Sequence, residues 1–278
     1  MSDDSLHDLR ETAETAAVQA GKLLRARFND ARTIEYKSGI DLVTDADRAS
    51  EALLLAYIKE RHPTHAILAE ESGMSRGTGG PRWLVDPLDG TTNYSHRLPH
   101  FCVSVAVEGP RGLLAGAIYD PMREELFSAA RGLGATLNGA PIQASHSITL
   151  DRALLCTGFP YDVREHPDVP VGLFTRMLTR AQGVRRLGSA ALELAYVACG
   201  RLDGFFEIGL KPWDLAAGAL IVWESGGEMT QIDGAPLDLS IGDVLASTAE
   251  LHDTLVHEAN EVLREARYVP RSRLEPAP

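Results

Sequence analysis

The stretch from Trp83 to Tyr94, WLVDPLDGTTNY, constrains the fold of this chain more than any other segment. Its first three residues are apolar and predict the end of a buried strand, after which Asp86 and Asp89 flank Pro87. Because proline fixes its own φ and lacks an N–H group, this segment can form a rigid turn with both carboxylates and the Leu88 carbonyl on one side. The segment therefore predicts a strand that delivers several oxygen ligands to one edge of a sheet.

Two interpretations fit these residues. Carboxylate and carbonyl oxygens are hard ligands that suit Mg²⁺ or Mn²⁺, and the backbone N–H groups of residues 90–93 would bind a phosphate if a helical turn begins there. An ordinary Asx–Pro turn, capped by Thr91 or Asn93, fits equally well. The choice between them depends on acidic residues elsewhere in the chain.

Glu70 and Glu71 are a second acidic pair. They follow a short predicted strand, residues 66–69, and precede a glycine-rich segment, residues 73–80, that predicts a mobile loop. Adjacent glutamates usually mark a solvated turn, but here the next strand is the one that ends in the two aspartates. Neighbouring strands, parallel or antiparallel, would bring Glu70 beside Asp86, and four carboxylates this close are not all ionised without a cation. A metal site is the simpler prediction.

Three other places in the chain have a structural explanation when taken alone. Thr44 predicts a helix N-cap with Asp47 three residues later, a variant of the capping box. Asp214 also predicts an N-cap, before an apolar helix. Gly188 and Ser189 lie between a predicted strand and a predicted helix, where they indicate either a cradle for an oxyanion or hydroxyl group, or close packing.

The order of predicted elements divides the chain into two domains. A long helix over residues 5–28 and a series of hairpins predict an α+β domain, residues 1–141, which ends after the Asn138-Gly139 turn. Strands and helices then alternate at the spacing of βαβ units, which predicts an α/β domain, residues 142–278, with helices on both faces of a mixed sheet. The polar, proline-rich residues 271–278 predict a disordered tail.

The formal net charge is −12 at pH 7. Binding to nucleic acid or to an anionic membrane would need a basic face, so this charge argues against both. An acidic protein that handles phosphate must gain positive charge locally, and metal ions would supply it. Because the acidic start is followed by no apolar run, and no segment approaches about 18 uninterrupted apolar residues, we expect a cytoplasmic protein without a signal peptide or membrane span.

The three cysteines, Cys102, Cys156 and Cys199, are far apart and lack CxxC spacing. An odd number at such distances argues against zinc binding and against disulfides. We expect buried or inert thiols.

Taken together, four segments resemble the inositol monophosphatase family of metal-dependent phosphatases. They are residues 37–47, the Glu70-Glu71 pair, residues 83–94 with the pattern DPxDGTTN, and residues 213–227 with the pattern WDxAAG. Their order and spacing match over residues 5–266, and residues 206–214 are similar to the bacterial inositol-1-monophosphatase type. The resemblance implies a layered α-β-α-β-α sandwich of the sugar-phosphatase type.

It also implies two or three Mg²⁺ ions, for which Mn²⁺ substitutes. Glu70, Asp86 and the Leu88 carbonyl would hold the first ion, Asp86, Asp89 and Asp214 the second, and Glu70 would face a third. In this scheme the N-terminal domain carries most metal ligands, and the C-terminal domain supplies Asp214. Lithium sensitivity and a homodimer are further family properties, and a lysine near the third ion matches Lys37.

The same resemblance assigns the remaining roles. Asp47 and Thr91 would orient and deprotonate the attacking water, with Glu70 as a further catalytic residue. Contacts with the substrate would come from Asp89, Gly90, Thr91, Gly188, Ser189, Ala190, Glu207 and Asp214. In this set, the Gly90 and Thr91 backbone would receive the phosphate.

The expected reaction is the hydrolysis of a small phosphate monoester by water. No Cys, Ser or His stands in a motif suited to a covalent phosphoenzyme. The acidic Glu207 suits a polyol better than a second phosphate, so myo-inositol-1-phosphate is the first choice of substrate. Fructose-1,6-bisphosphate, histidinol phosphate and phosphoadenosine phosphate are alternatives within the family. A regulatory role in binding the transcription machinery, as implied by bacterial relatives, is an alternative of another class.

Overall fold

The computed structural model describes residues 3–30, 34–38, 41–146 and 149–269. Within these residues the helices are α1 (Asp3–Arg27), α2 (Asp45–Arg61), α3 (Thr91–Ser95), α4 (Asp168–Leu178), α5 (Ala190–Ala198), α6 (Pro212–Glu224) and α7 (Ala249–Glu265), with a 3-10 turn at Leu150–Arg152. The strands are β1 (Ile34–Ser38), β2 (Asp41–Thr44), β3 (Ala66–Ala69), β4 (Gly73–Ser75), β5 (Arg82–Asp89), β6 (Cys102–Gly109), β7 (Gly112–Asp120), β8 (Glu125–Ala130), β9 (Ala135–Leu137), β10 (Ala140–Pro141), β11 (Leu154–Thr157), β12 (Gly183–Arg185), β13 (Gly204–Glu207), β14 (Gly227–Gln231) and β15 (Val244–Thr248).

Two large sheets organise these strands. The first has eight strands in the order β10-β9-β8-β7-β6-β5-β3-β4, and β3 and β5 run parallel. The second has five strands in the order β12-β11-β13-β15-β14, with parallel pairs around β11 and antiparallel pairs at β15. This is the mixed sheet that the alternating pattern predicts. β1 and β2 form a separate antiparallel pair.

The outer helices α1 and α2 cover one face of the first sheet. Leu24 of α1 and Leu54 of α2 lie in one buried cluster with Trp83 and Val105 of the strands. α1 is long and carries its apolar residues at helical spacing, so one stripe can be buried along its whole length. The two helices and the sheet form the first two layers.

The helices α5 and α6 lie between the two sheets. Leu220 of α6 shares a buried cluster with Ile118 of the first sheet and Phe205 of the second. The approach is close at Gly116 of β7, where an added Cβ would lie 3.0 Å from the Cα of Ala217. A larger residue at position 116 would therefore push the middle helices away from the first sheet.

The far face of the second sheet is covered by α4 and α7. Leu173 of α4 and Leu255 of α7 are buried with Leu245 of β15. The result is a layered α-β-α-β-α sandwich, and this prediction is confirmed. The division into domains 1–141 and 142–278 stays a prediction, and the predicted tail at 271–278 lies outside the described residues.

One predicted loop is wrong. Gly73–Ser75, which the glycine-rich pattern assigns to a mobile loop, is strand β4 and pairs antiparallel with β3 at the edge of the first sheet. Gly73 has a φ of +72°, which permits the tight return of the chain after Glu71-Ser72. None of the described helices combines the length and apolar character needed to cross a bilayer.

Candidate active site

The segment after Trp83 forms the floor of the site. Val85 and Asp86 of β5 pair with β6, and a bulge then shifts the register before Asp89 pairs with Cys102. The bulge turns the strand end, and the Asp86 carboxylate accepts a hydrogen bond from the Leu88 N–H at 2.9 Å. The strand therefore continues through the predicted turn instead of ending before it.

Gly90 joins this strand to α3. Its φ is +93°, and an added Cβ would lie 3.1 Å from the His100 carbonyl oxygen and 3.2 Å from that of Gly188. Both observations require glycine. A helical turn begins at Thr91, as the phosphate-site interpretation of residues 90–93 requires.

Glu70 lies beside Asp86 because β3 and β5 are parallel neighbours. Ala69 pairs with Val85, and the Glu70 N–H donates to the Val85 carbonyl at 3.1 Å. Both strands thus deliver an acid at the same edge of the sheet. The sequence prediction for this pair is confirmed.

Asp89 is held by the second half of the chain. One of its carboxylate oxygens accepts from the Ser189 hydroxyl at 2.7 Å and from the Ala191 N–H at 2.8 Å. The Cys102 thiol lies 3.7 Å from the same oxygen. The bonds from Ser189 and Ala191 connect residues about a hundred positions apart and fix the direction of the carboxylate.

Asp214 is not the N-cap of α6, contrary to the sequence prediction. The helix begins at Pro212, the N-cap is Lys211, and the Asp214 carboxylate accepts from the Lys211 N–H at 2.8 Å. Proline is favoured at the first helical position because the missing N–H has no partner there. The helix therefore begins two residues before Asp214, which lies in its first turn.

The four acids repel one another. Burial, followed by the charges of Glu70, Asp89 and Asp214, raises the pKa of Asp86 well above its usual value. Burial and the charges of Asp89 and Glu70 do the same to the pKa of Asp214, and burial raises the pKa of Asp89 despite its hydrogen bonds. Such a group of carboxylates favours a compensating cation.

A divalent cation fits this donor set. The acids Glu70, Asp86, Asp89 and Asp214 line one pocket together with Leu88, and hard oxygen ligands are those that Mg²⁺, Mn²⁺ and Ca²⁺ prefer. In the described part of the chain, no three His, Cys, Asp or Glu side chains already converge as a metal-binding group. The fit therefore rests on the chemistry and electrostatics of these acids.

Asp47 does not line the pocket, but it contacts Thr91, which does. Its carboxylate accepts from the Thr44 N–H at 2.8 Å, from the Thr44 hydroxyl at 2.5 Å and from the Thr91 hydroxyl at 3.1 Å. The predicted capping box of α2 is thus present, and its acid also reaches α3. Burial outweighs these bonds and raises the pKa of Asp47 to about 6.

The pocket itself has a volume of about 320 Å³. It brings together all of the predicted site residues apart from Asp47, and it adds Thr92, Gly158, Phe159, Pro160, Tyr161, Arg186, Ile208, Gly209, Leu210, Lys211 and Trp213. The expectation for the Lys37 side chain lies outside what the structure describes.

Glu207 is the last residue of β13 and lines the pocket. An added Cβ at Gly158 would lie about 2.0 Å from its carboxylate, so the segment around Gly158 packs directly against this side chain. Burial and the nearby charge of Glu193 raise the pKa of Glu207 well above its usual value, and the Arg186 guanidinium partly offsets this. Glu207 and Arg186 therefore add an interacting pair of charged groups to the pocket lining.

Sequence reasoning missed two parts of the pocket lining. Arg186 directly precedes the Leu187-Gly188-Ser189 turn, and its position at a strand end was an available signal. Phe159 and Tyr161 follow β11 in a loop whose direction no local pattern gives. Tyr161 is 55% exposed at the mouth of the pocket.

The fold and the acidic pocket define a protein of the phosphatase class. A solved structure of inositol monophosphatase from Anabaena (Nostoc) sp. has a TM-score of 0.85 to this chain at 42% identity and covers 95% of this chain and 100% of that one. An inositol monophosphatase from Thermotoga maritima gives a TM-score of 0.84 at 33% identity, with 92% and 98% coverage.

The chain belongs to the inositol monophosphatase family, whose model matches residues 5–264. It is 46% identical over 256 residues to an inositol-1-monophosphatase from Synechocystis sp., covering 91% of this chain and 89% of that protein. It is also 40% identical over 264 residues to the Nus factor SuhB of Escherichia coli K12, with 94% and 99% coverage. The resemblance in the sequence motifs is confirmed.

Proposed function

We propose that this protein hydrolyses phosphate monoesters with Mg²⁺ bound in the acidic pocket, and that myo-inositol-1-phosphate is its substrate. The carrying observation is the group of four mutually repelling carboxylates that shares one pocket with Gly90, Thr91 and Glu207. Such a pocket repels a phosphate dianion unless cations reverse its charge. Membership of the inositol monophosphatase family supports the same activity.

In this proposal Glu70, Asp86, the Leu88 carbonyl, Asp89 and Asp214 hold two or three Mg²⁺ ions, for which Mn²⁺ substitutes. The ions supply positive charge that neutralises the phosphate and stabilises the transition state. The bulge in β5 and the bonds from Ser189 and Ala191 to Asp89 fix the directions of these ligands before substrate arrives.

Asp47 and Thr91 act on the attacking water. The Thr91 hydroxyl lies within hydrogen-bond distance of both the Asp47 carboxylate and the Leu88 carbonyl. A water that donates to Thr91 is thereby oriented, and the Asp47 carboxylate accepts the proton through this pair. The backbone N–H groups at the start of α3 receive the phosphate.

A phosphate-release assay tests the substrate. With Mg²⁺ present, kcat/KM is expected to be highest for myo-inositol-1-phosphate among a panel that also contains fructose-1,6-bisphosphate, histidinol phosphate and 3′-phosphoadenosine 5′-phosphate. A higher value for one of the others would reassign the substrate. No release from any of them would contradict the phosphatase proposal.

The change Glu207→Gln is expected to act on selectivity. Gln keeps the size of the side chain but replaces one acceptor oxygen by an amide donor, which removes a hydrogen bond to the sugar hydroxyls worth about 1–2 kcal/mol. KM for myo-inositol-1-phosphate should rise roughly 5- to 30-fold, by the same energy. Hydrolysis of p-nitrophenyl phosphate, which has no such hydroxyls, should change little. An equal loss on both substrates would instead assign Glu207 to the metal-binding or structural residues.

Li⁺ is expected to inhibit at millimolar concentration. It prefers oxygen ligands and is close to Mg²⁺ in size, so the Asp86, Asp89 and Asp214 carboxylates would accept it once the alcohol product has left. Inhibition should then be uncompetitive or noncompetitive with substrate, and Asp214→Asn should weaken it. Steady-state kinetics at several Li⁺ concentrations measure both, and strictly competitive inhibition would contradict this site.

A second candidate function is binding to the transcription machinery, for which the 40% identity to a protein named as a Nus factor is the specific support. Affinity capture on purified RNA polymerase and its elongation factors distinguishes this role from catalysis.

We further propose that the protein is a homodimer and is located in the cytoplasm. Sedimentation velocity tests the dimer.

A further inference from the structure

Glu193 is a buried carboxylate that the proposed reaction leaves without a role. It lies in the first turns of α5 with 1% exposure, between the two large sheets, and does not line the pocket. One carboxylate oxygen accepts from the Gly188 N–H at 2.6 Å and from the Ser189 N–H at 3.2 Å. In the described part of the chain its other oxygen is buried without an N–H or O–H donor, and the Cys156 thiol is a further group that interacts with this carboxylate.

The turn that Glu193 holds is the one that orients Asp89. Ser189 donates its hydroxyl to Asp89 at 2.7 Å, and the Ala191 N–H donates to the same oxygen at 2.8 Å. If the backbone at Gly188 and Ser189 shifts, both donors move with it. The direction of the Asp89 carboxylate therefore depends on Glu193 through one intervening turn.

The opposite side of the turn is held by Asn93. Its side-chain amide donates to the Leu187 carbonyl and to the His100 carbonyl, both at 2.8 Å. Asn93 thus binds the carbonyl side of the turn, and Glu193 binds the N–H side. Gly188 has a φ of +93° and lies outside the helices and strands, so no regular hydrogen-bond pattern fixes its conformation. The bonds from Asn93 and Glu193 together fix it.

An apolar residue would pack at this buried position without the cost of removing a carboxylate from water. If Glu193 only capped the N-terminus of α5, its carboxylate would still have to accept hydrogen bonds, but it would need no connection to the pocket. The contacts supply that link in two steps, from Glu193 to the turn and from the turn to Asp89.

We propose that Glu193 is a positioning residue, whose carboxylate fixes the Gly188-Ser189 turn and thereby aims Asp89 into the pocket for cation binding. This inference rests on the proposed function only in taking Asp89 as a cation ligand. Residues that orient metal ligands typically contribute about 10- to 100-fold to metal affinity.

Direct binding of Mn²⁺, followed by the electron paramagnetic resonance signal of the free ion, tests the proposal without turnover. Glu193→Met removes the acceptor, and its Kd for Mn²⁺ should rise at least tenfold over the wild type, within the range of about 10- to 100-fold. Glu193→Gln keeps an acceptor oxygen and should rescue binding to within about threefold.

A matched control is Glu258→Met. Glu258 is also buried, pairs with Arg176 and Arg180 on the outer face of the second sheet, and does not line the pocket. The Glu258→Met variant should have a lower melting temperature than the wild type but the same affinity for Mn²⁺. If Glu193→Met does not fold, Ser189→Ala removes only the hydroxyl on Asp89 and should also weaken Mn²⁺ binding.

The outcomes separate cleanly. Equal Mn²⁺ affinity in Glu193→Met and the wild type overturns the proposal, as does the same loss in Glu193→Gln and Glu193→Met. Where Glu193→Met fails to fold, unchanged binding in Ser189→Ala overturns it. If the wild type itself neither binds Mn²⁺ nor releases phosphate, the proposed function has failed instead.

Discussion

Asp86→Asn is expected to lower turnover by roughly a hundred- to ten-thousand-fold while the protein stays folded. Asp86 is 2% exposed, is affected by the charges of Glu70, Asp89 and Asp214, and in the proposed reaction is shared by two cations. Asn has the same shape and can still accept from the Leu88 N–H, so the local fold is kept. What it removes is the charge that holds both cations.

The melting temperature of the metal-free variant gives an independent check of this role. The substitution should lower turnover but should not lower the stability of the metal-free protein. The pKa of Asp86 is raised in the folded protein, so the folded chain binds its proton more tightly than the unfolded chain does. The ionised group therefore destabilises the fold once the pH exceeds its unfolded pKa of about 4. Metal-free Asp86→Asn should melt at the same temperature as the wild type or higher at pH 7, with a smaller difference near pH 4.

The control for this variant is Asp120→Asn. Asp120 is a buried aspartate at the end of β7 that accepts from the Met122 and Arg123 N–H groups, outside the pocket. It should keep most of its turnover. If Asp86→Asn retained a tenth or more of wild-type turnover at saturating Mg²⁺, Asp86 would not be the shared ligand.

The parts of the site set by local patterns were predictable from the sequence. Thr44 and Asp47 are three residues apart, and the capping geometry follows from that spacing alone. Glu70 directly follows β3 and Asp86 lies near the carboxyl end of β5, and the parallel pairing of these two strands brings them together as the sequence predicts. The layered architecture follows from the family resemblance together with the strand and helix pattern.

The parts of the fold and site that depend on contacts between distant residues were not predictable from the sequence. β4 is a strand only because β3 offers an unpaired edge, and its glycine-rich sequence carries no strand signal. The bond from Ser189 to Asp89 joins two loops about a hundred residues apart, so no local pattern contains it. Asp214 is a different case, because Pro212 already indicated an earlier helix start.

Asp47→Asn is expected to reduce kcat by roughly a hundred- to ten-thousand-fold with little change in KM, since general-base catalysis contributes about that much and Asp47 does not line the pocket. The base must be ionised, and burial raises the pKa of Asp47 to about 6, so wild-type kcat should fall as the pH drops below 6. The variant has no carboxylate to protonate and should lose this acid limb, leaving only the titration of other groups.

Asp45→Asn is the control, because Asp45 lies in the same first turn of α2 but is exposed. A kcat–pH series on the three proteins measures this, and a large loss in both variants would show that helix charge, rather than proton transfer at Asp47, sets the rate.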